Sequence, residues 1–73
     1  MSSQLLEEAA KVIPNTAILV NVVSKRVRQL TNGRPPLVEV GPRMSHADIV
    51  FKEIIEGKIK VEDYVPTETA NLG

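Results

Sequence analysis

Apolar residues recur at helical spacing in the first half of the chain and predict two helices. The first covers residues 3–13, where apolar side chains return every three or four positions. Pro14 ends it, because the residue before a proline avoids helical backbone angles. The second runs from Asn15 to Asn32, since Asn15 suits a helix N-cap and Gly33 suits the stop after a helix.

The first half of the second predicted helix is apolar over most of its circumference. At about 100° per residue, Ile18 and Val22 lie on a different side from the main apolar face. A helix that is apolar nearly all round is expected to be buried, and two short neighbours can hardly cover it. Its β-branched residues would also suit a strand, but the Lys-, Arg- and Gln-rich continuation favours a helix. The main apolar face comprises Leu19, Val20, Val23, Val27 and Leu30.

The segment from Gly33 to Ser45 is predicted to be a Pro-rich loop. Its three prolines and Gly41 forbid a regular helix. Leu37, Val38 and Val40 make it unusually apolar for a loop, so these side chains are expected to pack on something. Packing on the chain's own helices and contact with a partner are equally good interpretations at this stage.

A third helix is predicted after the loop. Ser45 and Asp48 form a variant of the capping box that opens helices, and Gly57 supplies a left-handed stop. One face is expected to enter the core and the other to face solvent. The predicted core face is Ala47, Val50, Phe51, Ile54 and Ile55, and the predicted polar face is Asp48, Lys52, Glu53 and Glu56.

These elements predict an all-α fold: a small three-helix domain over residues 1–65, followed by a flexible C-terminal tail over 66–73. Ile59 and Val61 alternate after the third helix and are expected to lie back on the core. A chain of 73 residues has a marginal core of its own. Without cysteine and with a single histidine, a disulfide or a His/Cys zinc site is excluded, so a partner is the remaining source of added stability.

Charge is balanced overall but uneven along the chain. Net charge is zero, yet residues 11–43 carry six cations and one acid, which gives +5. A basic middle suits either an anionic partner or a solvated surface, and overall neutrality argues against a dedicated nucleic-acid binder. No signal peptide or membrane-spanning stretch is expected, which fits a cytoplasmic protein.

Catalytic chemistry is not predicted. The acids are expected on polar helix faces or in the tail, and His46 follows a helix cap, where a capping role explains it. The glycines are isolated, so no phosphate-binding loop is expected. The sequence therefore predicts no catalytic residues, no cofactor and no metal site.

Two sequence blocks resemble the omega subunit family of bacterial RNA polymerase. The residues from Ser24 to Leu30 are similar to that family's Ala-x-Arg-Ala-Arg-Gln-Leu, and 36–38 read Pro-Leu-Val as in the family. After a loop, the residues from Ile49 to Ile59 resemble the family's Ile-Ala-Leu-Arg-Glu-Ile-x-x-Gly-x-Ile. Order and spacing agree over roughly residues 12–60.

The resemblance implies a non-catalytic accessory subunit that wraps the beta-prime subunit. Such a subunit helps beta-prime fold and join the alpha2-beta-beta-prime core enzyme, with no direct DNA contact expected. Apolar side chains of the second helix and the loop would meet beta-prime, and two arginines would fix the register. Glu53, Ile54 and Gly57 would shape the third helix and its turn. The predicted partner-binding residues are Ile18, Val22, Arg26, Arg28, Gln29, Leu30, Pro36 and Leu37.

The chain departs from the family at several positions. Thr16 and Ala17 stand where an arginine and an aromatic residue are common, and Val27 and Val50 replace alanine. In some members a Met-Ala-Arg start helps to bind guanosine tetraphosphate; this chain begins Met-Ser-Ser-Gln, so no such site is expected from these residues. Two alternative interpretations are a small helical nucleic-acid binder and a homodimeric interaction module.

Overall fold

The computed structural model describes residues 3–64, and within them the protein is all-α. Three helices are present: α1 (Ser3–Val12), α2 (Thr16–Thr31) and α3 (His46–Ile55), followed by a short 3-10 helix (Val61–Asp63). The described residues contain no strand. The all-α prediction is confirmed, whereas the predicted tail over 66–73 lies outside the described residues.

The helix boundaries follow from local capping chemistry. Asn15 Oδ1 accepts a hydrogen bond from the Ile18 backbone N–H at 3.0 Å, which caps α2. At α3, the Ser45 hydroxyl accepts from the Asp48 N–H and the Asp48 carboxylate accepts from the Ser45 N–H, each at 3.2 Å. Both halves of the predicted capping box are therefore present. Gly57 follows α3 with a φ of 69°, the left-handed conformation predicted for it.

Helix α3 is the centre of the fold. It packs against both α1 and α2, whereas α1 and α2 contact each other little. Six of its ten residues are buried, so α3 lacks the broad solvent-facing side that its sequence suggested. Ile59 and Val61 pack against the core as predicted. The buried apolar residues of the core are Ala9, Ile13, Leu19, Val22, Leu30, Ile49, Val50, Phe51, Ile54 and Tyr64.

Two acidic residues of α3 correct the predicted polar face. Asp48 and Glu53 were assigned to solvent, but Asp48 is 6% exposed and Glu53 is fully buried. Asp48 is buried because it closes the capping box. Glu53 is buried because it meets an arginine of α2 in the interior. The central place of α3 leaves little of its circumference for water.

Candidate partner-binding surface

A buried ion pair joins α2 to α3. Arg26 Nε donates to Glu53 Oε1 and Arg26 Nη2 donates to Glu53 Oε2, both at 2.8 Å. Arg26 is only 3% exposed and Glu53 is not exposed at all. This two-point arrangement matches the planar guanidinium to the planar carboxylate and fixes the rotation of both helices.

The remaining polar atoms of the pair are also satisfied. Arg26 Nη1 donates to Gln29 Oε1 at 3.0 Å, and Nη2 donates to the Pro35 carbonyl at 3.2 Å. Glu53 Oε2 accepts from the Leu37 backbone N–H at 2.9 Å. Removing charges from water is costly unless every lone pair and proton finds a partner. Within residues 3–64, no buried side-chain nitrogen or oxygen is left without one.

The electrostatics of the pair keep Arg26 charged. Its hydrogen bond to Glu53 raises the pKa of the Arg26 guanidinium above its ordinary value, while burial acts in the opposite direction. A raised arginine pKa means that the stabilising charge is present below the ordinary pKa and is lost only above the raised value. The cation at this position is therefore insensitive to pH across the range in which proteins are handled.

Beyond the turn that ends α2, the loop between α2 and α3 is held at three backbone positions. Pro35 and Leu37 are bound to the ion pair, and the Glu39 carbonyl accepts from Lys52 Nζ at 3.1 Å. Val38 packs its side chain against the core. Backbone groups of loops usually bond to water. Here alternate residues of the loop are bound to α2 or α3 instead.

The held loop leaves apolar side chains exposed. Leu37 is 48% exposed and Val40 is 45% exposed, and Pro36 is exposed as well. We call Pro36, Leu37 and Val40 the loop surface. Large apolar side chains that share an exposed segment are typical of interaction sites. The loop surface is therefore the candidate site.

The predicted contact residues of α2 fall into two groups. Val22, Arg26 and Leu30 are buried in the chain's own interior, so they support the fold and expose little or no side-chain surface. Ile18 and Gln29 are half-buried, and Arg28 is exposed. Arg28 makes no ion pair with any other residue of 3–64.

Gln29 is occupied by internal contacts. Its Oε1 accepts from Arg26 Nη1 and from the Tyr64 hydroxyl, each at 3.0 Å. Tyr64 is buried, and its backbone carbonyl accepts from Asn21 Nδ2 at 3.4 Å. Gln29 therefore connects the ion pair to the segment after α3, a role that its position in the sequence block did not indicate.

Glu53 lies in the interior, although the polar and apolar pattern of α3 places it on the solvent side. A signal was present, because at about 100° per residue Glu53 falls between Ile49 and Val50 on the helical wheel. An acid flanked by apolar residues on a buried helix indicates a buried partner of opposite charge. The basic block of α2 offers that partner in Arg26.

Residues 3–64 contain no group of three His, Cys, Asp or Glu side chains that could hold a metal ion. No pocket is found in the same part of the chain. None of the described helices is long and apolar enough to cross a membrane.

Comparison with known proteins identifies the family. The sequence model of the family described as RNA polymerase Rpb6 matches residues 8–61. The DNA-directed RNA polymerase subunit omega of Desulfatibacillum aliphaticivorans is 34% identical over 68 residues, covering 93% of this chain and 98% of the relative. The omega subunit of Campylobacter jejuni subsp. jejuni serotype O:23/36 is 39% identical over 72 residues, covering 92% and 97%.

A third relative agrees with these two. The omega subunit of Nitratiruptor sp. is 41% identical over 59 residues, covering 74% of this chain and 84% of the relative. No solved structure matches the chain significantly. The chain therefore belongs to the RNA polymerase Rpb6 family. Within that family it is similar to the bacterial omega subunits, so the resemblance found in its sequence is confirmed.

Proposed function

We propose that this chain is an accessory subunit of bacterial DNA-directed RNA polymerase that clamps the beta-prime subunit. It promotes the folding of beta-prime and its assembly into the alpha2-beta-beta-prime core enzyme in the cytoplasm. It has no catalytic residues of its own and makes no direct DNA contact. The observation that supports the proposal best is the loop surface, where Leu37 is 48% exposed on a backbone bound to α2 and α3.

The contact surface comprises the loop surface together with Arg28 and the accessible part of Ile18. Leu37 and Val40 supply apolar area that a partner removes from water. Arg28 is an exposed cation available to an acidic group of beta-prime. Because the subunit binds only the native form of beta-prime, it stabilises that form by mass action. The buried residues of α2 contribute indirectly, because they pack in the core and hold the helix in place. They are Val22, Arg26 and Leu30.

The nucleic-acid alternative is less well supported. A helix-turn-helix motif joins its helices by a turn of about three or four residues. Here residues 32–45 separate α2 from α3. The central helix α3 is also largely buried and offers few side chains to a DNA groove. Sedimentation of the free chain, described below, distinguishes the homodimer alternative from the proposed function.

The test is co-purification of beta-prime with the tagged chain after co-expression. The test variant is Leu37→Asp with Arg28→Glu, which places negative charge on the proposed surface. The matched control is Val12→Asp with Lys60→Glu, which makes the same change of charge at exposed positions outside that surface. Circular dichroism of each free chain checks that the helices are intact.

Retention of beta-prime by the wild type and the control, with loss in the test variant, is the expected result. A folded wild-type chain that fails to retain beta-prime would overturn the proposal. Sedimentation of the free chain and salt-dependent DNA binding would then distinguish the homodimer from the nucleic-acid binder. Equal loss in the control and the test variant would show that the surface is assigned to the wrong residues.

A further inference from the structure

The ion pair between Arg26 and Glu53 contacts the loop through the loop's backbone. Arg26 donates to the Pro35 carbonyl at 3.2 Å and Glu53 accepts from the Leu37 N–H at 2.9 Å. The two bonded backbone groups flank Pro36. The charged pair therefore supplies both a donor and an acceptor to the segment that carries the exposed Leu37 side chain.

We propose that Arg26 and Glu53 are positioning residues that hold the loop surface in its binding conformation before the partner arrives. The inference rests on the proposed function, because the loop surface is its proposed contact site. It goes further by assigning the affinity of that site to two residues that the partner never touches. Both are buried, so they act on the loop surface from inside the chain.

Packing of α2 on α3 does not by itself require a charged pair. Apolar side chains of similar volume are often as stabilising as a buried ion pair, or more so. What apolar side chains lack is a hydrogen-bond donor and acceptor for the backbone of a third segment. In this chain each partner of the pair donates to or accepts from that segment. Holding the loop is therefore the contribution that distinguishes the ion pair from an apolar contact.

The other attachments of the loop are weaker or lie outside residues 35–37, as does the Arg34 N–H, which donates to the Gln29 carbonyl at 3.0 Å. Lys52 reaches the Glu39 carbonyl at 3.1 Å in an exposed contact, which water and salt attenuate. Val38 anchors its side chain in the core but supplies no hydrogen bond to the backbone of residues 35–37. Without the ion pair, the segment 35–37 is expected to sample several conformations. Binding would then have to select one of them, which lowers the apparent affinity.

The experiment uses the double variant Arg26→Met with Glu53→Leu, which removes both charges and keeps similar volumes. The fold is expected to survive, with far-ultraviolet circular dichroism like that of the wild type. Amide hydrogen exchange at Leu37, relative to exchange at the buried Val22 of α2, should accelerate at least about tenfold as the bond to Glu53 is lost. The ratio of Leu37 exchange to Val22 exchange distinguishes release of the loop from a general loss of stability, because a general loss would also accelerate exchange at Val22.

Affinity is measured by titrating the labelled chain into core enzyme prepared without this subunit. The double variant should bind at least about tenfold more weakly, because apparent affinity falls with the fraction of chains whose loop is in the binding conformation. The matched control is Ser45→Ala, which removes the cap of α3 without touching residues 35–37. Ser45→Ala should lower the melting temperature yet leave the affinity and the relative exchange of Leu37 unchanged. If the ion pair only stabilised the fold, the double variant would likewise leave the affinity unchanged.

A folded double variant with wild-type affinity would overturn the positioning role, as would unchanged relative exchange at Leu37. If the double variant does not fold, Arg26→Gln with Glu53→Leu carries the same two measurements, because it also removes both buried charges and the acceptor of the Leu37 N–H, while it leaves a donor for Gln29. A wild-type chain that does not bind core enzyme overturns the proposed function instead. The exchange of Leu37 still decides, in the free chain, whether the pair holds the loop.

Discussion

Val20 and Val22 stand two positions apart on α2 and lie on opposite sides of it: Val20 is 57% exposed, and Val22 is completely buried. Val22 lies one turn before Arg26, so the residue that packs in the core and the residue that meets Glu53 share one stripe of the helix. Val22 and the ion pair therefore lie on the inward side of α2, and Val20 lies on the outward side.

Truncation of these two valines tests that orientation. Val22→Ala should lower the free energy of unfolding by about 2 kcal/mol, because it removes two buried carbon groups and leaves a cavity. Val20→Ala should change it by less than about 0.5 kcal/mol, since an exposed site loses little and alanine favours helix. Urea denaturation followed by circular dichroism measures both. The reverse order would show that α2 is rotated.

Loss of one partner of the ion pair should be severe. Glu53→Ala leaves Arg26 buried without its counter-charge, and this kind of change costs about 3–5 kcal/mol. That loss rivals the whole stability of a domain of this size, which is of the order of 5 kcal/mol. The variant should therefore lose most of its helical circular dichroism at 25 °C.

Glu56, at the C-terminal end of α3, provides the control for Glu53→Ala. Glu56 is exposed, so Glu56→Ala should alter the free energy of unfolding by less than about 0.5 kcal/mol. Similar unfolding curves for Glu53→Ala and Glu56→Ala would contradict the buried pair.

The cap of α3 gives a smaller expected effect. Ser45→Ala removes the hydroxyl that accepts from the Asp48 N–H and should cost about 1 kcal/mol. Ser24→Ala, on the exposed side of α2, replaces the same residue type without loss of a cap and should be neutral or slightly stabilising. Thermal unfolding of the two variants side by side checks the difference; equal melting temperatures would argue against the cap.

Glycine substitution tests the turn after α3. Gly57 has a φ of 69°, where a side chain costs about 1–2 kcal/mol, so Gly57→Ala should lower the melting temperature. Gly41→Ala is the matched control, because Gly41 has no positive φ and an added Cβ would meet Met44 Sδ at an ordinary 3.6 Å. Its melting temperature should stay the same or rise. If both variants melt alike, the left-handed turn is not required.

Features that depend on a few neighbouring residues were predictable from the sequence. The starts of α2 and α3 follow from Asn15, Ser45 and Asp48, whose hydrogen bonds span only three residues. The stop at Gly57 is equally local. In each case the residue type and the backbone conformation constrain each other directly, so the pattern alone indicates the structure.

Features that depend on distant residues were not predictable in the same way. The orientation of α2 depends on Glu53, which is 27 positions away from Arg26. Apolar periodicity is uninformative on a helix that is apolar nearly all round. Glu53 itself was placed on a solvent face because an acid is exposed by default. Glu53 can be buried because it pairs with Arg26 on another helix, and the sequence of α3 alone does not show this partner.

The candidate site was predictable in part. Leu37 was picked out by its apolar character within a Pro-rich loop, and it is exposed. Whether a loop packs inward or outward depends on which of its backbone groups find partners. Those partners, Arg26 and Glu53, lie in two other elements of the chain. The contribution of Leu37 to partner binding remains a prediction.

The buried pair also constrains how sequences of this kind diverge. Codons for Arg26 and Glu53 mutate independently, yet a replacement at either one strands the other charge in the interior. A lineage is therefore expected to retain both residues or exchange both within a short interval, so that the two alignment columns covary. Exposed neighbours such as Arg28 and Glu56 are free of this restriction in the folded chain. Substitutions should therefore accumulate more slowly at Arg26 and Glu53 than at Arg28 and Glu56.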